Sequence, residues 1–299
     1  MYNPLVSIVV AAYNAESYIE ETLDSCINQR YKNIEIIITD DFSSDKTLGL
    51  CRSWIAKQNV EKPEINIKLL PSHTNGGIPK NLNKSLPYCK GDWVKFIGSD
   101  DLLLPDAISE LIKFVGMYQS GLPAVVFSAF ETFGSKVLIN RIYPQRWSRC
   151  VVNMKAGRLK THLAMLHLNN LAPSAFINNS LFKDANVKFD ETYRLLEDLP
   201  LWLYVIYNKE KTVYFNKVIV KYRLHGSQIT SQSNTKLNSV LLSDLNRLNK
   251  YRMEKGFYFS YWHHKYQLML NAKKSKHARL LQFIDPIKLL IYFFERIGR

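Results

Sequence analysis

Cysteine is scarce, with 4 among 299 residues, and Cys26, Cys51, Cys89 and Cys150 never stand in a C-x-x-C spacing. That argues against a cysteine-built zinc site and a disulfide framework, and it points to a reducing compartment. Long hydrophobic runs are missing too. No stretch reaches about 18 uninterrupted apolar residues, so no membrane span is expected. The opening Met-Tyr-Asn-Pro leads into a short strand-like run rather than a basic region with a long apolar stretch, so a secretory signal is not expected. Glycine and proline number 12 and 11, too few for a collagen-like or low-complexity chain. No G-x-x-x-x-G-K-[ST] phosphate loop occurs, and no G-x-G-x-x-G follows the first strand-like run, which argues against P-loop and dinucleotide chemistry.

Acidic residues run short only in the last third. Residues 1–200 hold 22 basic and 21 acidic side chains, a net of +1, whereas residues 201–299 hold 18 and 5, a net of +13. A whole-surface nucleic-acid binder distributes its charge differently, so no nucleic-acid partner is expected. A near-neutral body with a basic C-terminal third fits an enzyme with an anionic docking surface.

What is present is an alternation of strands and helices. Leu5–Ala12 is a β-branched, nearly all-apolar run of the kind that forms a parallel strand buried on both faces. Ala15–Gln29 has helical spacing, with Ile19, Leu23 and Cys26 on one side and Glu16, Glu20 and Asp24 on the other. Strands are expected at Ile34–Thr39, Ile65–Leu70, Trp93–Ile97 and Ala124–Ala129. Helices are expected at Asp45–Lys57, Ile78–Leu86 and Pro105–Met117, the last with proline at its first position. Further on, Lys136–Ile142 and Ala175–Asn178 read as short strands, Leu159–Leu168 and Leu196–Tyr207 as helices, and Thr212–Tyr222 as a strand-pair region. Helix resumes from Lys236. The pattern implies a doubly wound, mostly parallel α/β sheet with a C-terminal helical extension.

Polar residues gather behind the strands. Tyr13-Asn14 follow the first strand, Asp40-Asp41 the second, and Gly98-Ser99-Asp100-Asp101 the fourth. Open α/β sheets bind ligands at those carboxyl ends. Asp100 is placed to hold a hard divalent cation, which takes carboxylate oxygens together with substrate phosphates. Glu197-Asp198 open an apolar helix, and on the residues alone they are equally a general base or a helix cap. Arg223 and His225 alternate at a strand end and so share a face. Both suit a pyrophosphate, and His225 can also ligate a metal.

The segments VSIVVAAYN, EIIITDDFSSDKT, GDWVKFIGSDDLLLPDAI, FDE…LLEDLPLW and YRLHGSQIT, in that order over about residues 5–230, resemble family 2 of the inverting glycosyltransferases, with its GT-A fold and its bacterial polysaccharide, O-antigen and capsule members. The resemblance implies a catalytic domain over 1–230, with a nucleotide-sugar half to about 130 and an acceptor half to 230, and a basic helical extension over 231–299. It implies that Ala11, Tyr13 and Asn14 line the base and ribose pocket. Asp41, with Asp40 beside it, accepts hydrogen bonds from the base, uracil being the commonest. Lys80, Asn81 and Ser99 join the nucleotide-binding set. Asp100 ligates Mn²⁺ or Mg²⁺, with Asp101 and His225 as further ligand candidates. Asp198 is the base, Glu197 positions sugar or acceptor, and Arg223 and His225 close over the diphosphate. Three positions depart from the family pattern. Gly98 replaces the first acid of the DXD motif, Phe42 the glycine after the acidic pair, and Lys80-Asn81 an Arg-Asn whose fork lysine lacks.

After Pro286, residues Ile287, Leu290, Ile291, Phe294 and Ile297 form an apolar helical face, and Lys273, Lys274, Lys276 and Arg279 lie upstream. The combination fits a helix lying on an anionic membrane surface, the alternative being a helix packed on the catalytic body with its lysines solvated. With the resemblance, it implies a cytoplasmic enzyme, peripheral on the inner face of the membrane, with a glycan or polyprenyl-diphosphate-linked acceptor. Arg141, Arg146, Arg149, Arg158 and Lys160 meet either an acceptor diphosphate or water. The competing readings are a sugar nucleotidyltransferase, which lacks its Gly-rich basic loop here, and a non-catalytic basic binding or scaffold protein.

Overall fold

The computed structural model describes residues 2–118, 121–135, 140–144, 146–155, 160, 171–208, 210–226 and 239–272. Apart from Lys160, the expected helix Leu159–Leu168 lies outside them, as do Arg158 and the basic, apolar segment 273–299.

Nine strands form one mostly parallel sheet. They are β1 (Val6–Ala12), β2 (Ile34–Asp40), β3 (Asn66–Pro71), β4 (Trp93–Gly98), β5 (Leu102–Leu103), β6 (Val125–Phe133), β7 (Ile142–Tyr143), β8 (Phe176–Asn178) and β9 (Thr212–Arg223). The order is β3-β2-β1-β4-β8-β6-β9-β5, with β7 on β6. β3, β2, β1 and β4 run parallel, and so do β6 and β9, while β8 inserts antiparallel between β4 and β6. The described helices are α1 (Ile19–Ile27), α2 (Thr47–Glu61), α3 (Ile78–Ser85), α4 (Ala107–Val115), α5 (Arg146–Asn153), α6 (Ser180–Lys183), α7 (Asp198–Tyr207), α8 (Ser239–Glu254) and α9 (Tyr258–Ala272).

Both faces of the sheet are covered, which is why β1 and β2 are apolar almost throughout. Ile8, Val10, Ile36 and Ile38 point into one core with Leu23 of α1, Trp54 of α2 and Leu111 of α4. Val9 and Ile37 point into the other, with Leu82 of α3, Leu199 and Trp202 of α7 and Leu248 of α8.

Three expectations shift. Pro105 does not open α4, which begins at Ala107, and its carbonyl instead accepts the Arg30 N–H. Thr212–Tyr222 is one long strand whose register against β6 slips around Ala129. β5, too short to show a period, is pinned by antiparallel pairing with β9.

The carboxyl ends of β1, β2 and β4 are stitched together. Ala12 C=O accepts the Asp41 N–H (2.9 Å), Ala11 C=O accepts the Ser99 N–H (3.1 Å), and the Asn14 N–H donates to Ser43 Oγ (3.0 Å). The polar loops read from the sequence therefore meet along one edge.

Candidate active site

Asp41 lies buried behind β2, and its two oxygens receive the backbone N–H groups of Gly76 and Gly77, each at 2.8 Å. Gly77 has φ +83°, a conformation glycine adopts without steric cost. Asp41 thus shapes the 75–77 turn ahead of α3. Asn14 and Phe42, both at positive φ, form the adjoining lip, where Asn14 Oδ1 accepts the Ser44 N–H at 2.8 Å. A left-handed φ disfavours a side chain such as that of Phe42, which explains the family's glycine there. Tyr13 and Phe42 are exposed at this edge, and Ala11 is half-buried beneath it.

Two members of the expected nucleotide set turn inward. Asp40 is 0% exposed, and its oxygens accept the Ser43 N–H and hydroxyl. It holds the loop and cannot face a base. Asn81 is also buried, donating to Thr39 C=O (3.0 Å) and accepting the Thr39 hydroxyl (2.6 Å), so it locks α3 onto β2 instead of meeting phosphate. Lys80 stays exposed, its stem covering Gly76, while Ser99 is buried.

A second cluster joins β4 to the end of β9. His225 Nε2 lies 3.0 Å from Asp100 Oδ2, bringing a carboxylate and an imidazole to one point. Gly98 permits this, because a Cβ there would sit 2.9 Å from Asp100 Oδ1. The missing first acid of the DXD pattern therefore leaves room for the Asp100 carboxylate. Asp101, expected as a further metal ligand, is turned into the protein, where its Oδ1 accepts the Arg223 N–H (2.9 Å). Burial and then the Asp100 charge push the Asp101 carboxyl well above its usual range, against the pull of that N–H and of Lys95 and Arg223.

Arg223 does not reach over an open cleft. Its guanidinium pairs with Glu21 of α1, donates from Nε to Asp100 C=O (2.7 Å), and lies against the rings of Tyr18 and Phe133. It clamps the Asp100 loop. The Tyr18 ring also contacts the His225 ring, with centroids 4.7 Å apart. Among the described residues no three His, Cys, Asp or Glu side chains converge as a metal cluster. Asp100 and His225 nevertheless fit a divalent cation that takes its remaining ligands from a diphosphate and water.

Glu197 and Asp198 open α7. Both are pushed above the ordinary carboxyl range, first by burial. Their supports differ. Asp198 Oδ2 accepts the Trp202 Nε1–H (3.2 Å), and its own and the Leu199 backbone N–H groups favour its charge. Glu197 is pushed further by the charges of Asp198 and Asp244, and its buried Oε2 has no hydrogen-bond partner among the described residues. Environments that push two neighbouring carboxyls apart assign the protonation states. Asp198 is the member whose charged form is better supplied with donors, which favours it as the anion of the pair.

The segment before this pair leans on the nucleotide side. Asn83 of α3 bonds Phe189 at both its C=O and N–H and donates to Glu191, and the Arg194 guanidinium lies beside Gly77. Asp244, which no motif reading singled out, also meets this segment. Of the basic residues considered for the acceptor, Lys160 is withdrawn, its Nζ buried against Val152 C=O and Thr212 Oγ1. Arg149 is held by Pro144 C=O and Asn216. Arg141 is exposed.

The family model of "Glycosyl transferase family 2" matches residues 7–170. An uncharacterized glycosyltransferase of Rickettsia typhi is 30% identical over 244 residues, covering 80% of this chain and 69% of that protein. The crystal structure of S. aureus TarS 1–349 in complex with UDP-GlcNAc superimposes with a TM-score of 0.62 at 21% identity, over 82% of this chain and 65% of that one. This chain thus spans just under two thirds of that structure. The mannosyltransferase PcManGT from Pyrobaculum calidifontis, in complex with GDP-Man and Mn²⁺, superimposes with a TM-score of 0.57 at 15% identity, over 97% of this chain and 81% of that one. These two likenesses establish the fold as that of GT-A neighbours. With the sequence match, the chain belongs to glycosyltransferase family 2.

Proposed function

We propose that this glycosyltransferase moves a sugar from a nucleoside-diphosphate sugar, a uridine nucleotide first among them, to a hydroxyl of a glycan or polyprenyl-diphosphate-linked acceptor in bacterial cell-surface polysaccharide synthesis. The observation that carries the reading is the buried Glu197–Asp198 pair, with Asp198 better supported as the anion. TarS with UDP-GlcNAc and PcManGT with GDP-Man and Mn²⁺ support a nucleotide-sugar donor and a divalent cation by likeness of fold.

Asp198 takes the proton of the acceptor hydroxyl as that oxygen attacks the anomeric carbon. The bond from that carbon to the diphosphate breaks on the opposite face, and its electron pair leaves with the nucleoside diphosphate. One displacement inverts the centre, so an α-linked donor yields a β-glycoside. Glu197, protonated, donates a hydrogen bond to sugar or acceptor. Asp100 and His225 are the residues that would hold Mn²⁺ or Mg²⁺, whose charge offsets that of the leaving diphosphate. Asp41, expected to accept from the base, has both oxygens on the Gly76 and Gly77 amides and holds the 75–77 turn, and Arg223 and Asp101 hold the Asp100 loop in place.

A membrane surface belongs to the same reading. Among the described residues no helix is long and apolar enough to cross a membrane. The basic and apolar sequence of 273–299 supports peripheral docking at the cytoplasmic face, where a lipid-linked acceptor is met.

The test is a screen of nucleotide sugars for donor hydrolysis with and without Mn²⁺. Metal-stimulated turnover of one nucleotide sugar is expected. Failure of every nucleotide sugar to bind or turn over in the presence of Mn²⁺ would overturn the reading.

A further inference from the structure

Asp244 lies on α8, outside the motifs and beyond the residues that the family model matches. It is one of only 5 acids in residues 201–299, and it is 2% exposed. Its Oδ2 accepts two consecutive backbone N–H groups, those of Arg194 (2.9 Å) and Leu195 (2.8 Å). These residues stand directly ahead of Glu197 and Asp198.

The backbone needs such a hold at this point. Residues 194–197 form neither helix nor strand, and Glu197, at the N-cap of α7, makes no side-chain capping bond. The packing of α7 and whatever fixes the strap before it therefore place Asp198 together. One end of that strap is held by Asn83 of α3 at Phe189 and Glu191. The other end is held by α8.

Asp244, Leu248 and Tyr251 recur at i, i+4 and i+7, so they share one face of α8. Leu248 enters the same core as Tyr193, Leu199 and Trp202, with Tyr251 packed against it. Arg247 lies over the Tyr193 ring. Behind this face, Asn249 Oδ1 accepts from Arg252 (2.8 Å) and lies 3.0 Å from His264 Nδ1, which fixes α8 to α9. The carboxylate is thus mounted on a rigid support.

We propose that Asp244 is a positioning residue for transfer. By gripping the amides of Arg194 and Leu195, it sets the place of Asp198 and couples the helical C-terminal part of the chain to the catalytic step. This rests on the assignment of Asp198 as the base. The grip requires an acceptor oxygen at this point and no formal charge, so a carboxamide substitutes for it. A displacement of about 1 Å at a reacting group costs roughly 100-fold in rate, so loss of the grip is read in kcat.

The experiment compares Asp244→Ala, Asp244→Asn and Asp198→Asn in the full chain. It measures kcat and KM with the donor identified by the hydrolysis screen, the Kd of UDP with Mn²⁺, and the melting temperature. For Asp244→Ala, kcat is expected to fall roughly 10- to 100-fold, with donor KM and UDP Kd within about threefold. Asp244→Asn is expected to hold kcat within about threefold of the parent, because its amide oxygen still accepts both N–H groups. A parental kcat in Asp244→Ala, or a parallel loss of kcat and UDP affinity, would overturn the proposal. So would an Asp244→Asn variant that folds, binds UDP and does not transfer. If Asp244→Ala does not fold, hydrogen exchange in the parent decides together with Asp244→Asn, since rapid exchange of the Arg194 and Leu195 amides contradicts the grip. Undiminished transfer by Asp198→Asn removes the base assignment instead, so the two failures are told apart.

Discussion

Asp40 and Asp41 are as buried as Asp198, yet the two acidic pairs are furnished in opposite ways. All four oxygens of the first pair receive hydrogen bonds from Ser43, Gly76 and Gly77. In the second pair Asp198 Oδ2 receives the Trp202 Nε1–H and nearby backbone N–H groups favour its charge, while among the described residues Glu197 Oε2 has no donor. A buried carboxylate with its lone pairs filled is a structural strut. One left short of donors is raised in pKa and is ready to take a proton. The carboxyl edge of the sheet therefore uses its acids to fix loops, and the start of α7 keeps its acids reactive at a cost in stability.

Substitutions at the two pairs can break this contrast. The largest effect is expected at Asp198→Asn, which keeps the shape and the Trp202 partner and removes the base. Transfer falls by about 10²- to 10⁴-fold, while UDP affinity measured by calorimetry stays within about twofold; a variant that transfers normally would make Asp198 a cap. Next is Asp41→Ala, which leaves the Gly76 and Gly77 amides without an acceptor. Hydrogen bonds to charged groups contribute about 1.5–3 kcal/mol each, so urea unfolding should show a loss of about 3 kcal/mol or more, accompanied by weaker UDP binding. Intact stability would demote Asp41 from strut to bystander.

The smallest effect sharpens the comparison. Glu197 is raised, so its folded form holds a proton that the unfolded chain releases at lower pH. Its contribution to stability is present in acid and is lost as pH rises through its folded value of about 8. Glu197→Gln should therefore gain stability over the parent at pH 9 by about 1 kcal/mol or more, and little at pH 4. Equal stability at both pH values would show that Glu197 is not raised.

Much of this was legible in the sequence, for identifiable reasons. β1 and β2 are nearly continuous apolar runs, and the polar residues that follow the early strands mark the sheet's carboxyl edge whatever the details of packing. Direction within an acidic pair was not legible. Asp40 ends a strand buried on both faces, and Asp101 is turned inward by the Arg223 amide, which a strand distant in sequence delivers. Arg223 and Lys160 look alike as free cations in sequence, and only tertiary partners show both to be committed. Asp244 had one faint signal, an acid on the same α8 stripe as Leu248 and Tyr251, in the part of the chain where acids are rarest.

The most direct test of the account is the pH dependence of kcat/KM for transfer, with nucleotide binding followed over the same range. Burial with few donors pushes Asp198 up to about 6, and only its ionised form takes a proton. At saturating Mn²⁺, kcat/KM is expected to fall as pH drops through about 6, with nucleotide binding unchanged there. A rate that holds level down to about pH 4.5, as an ordinary carboxylate would give, would contradict it.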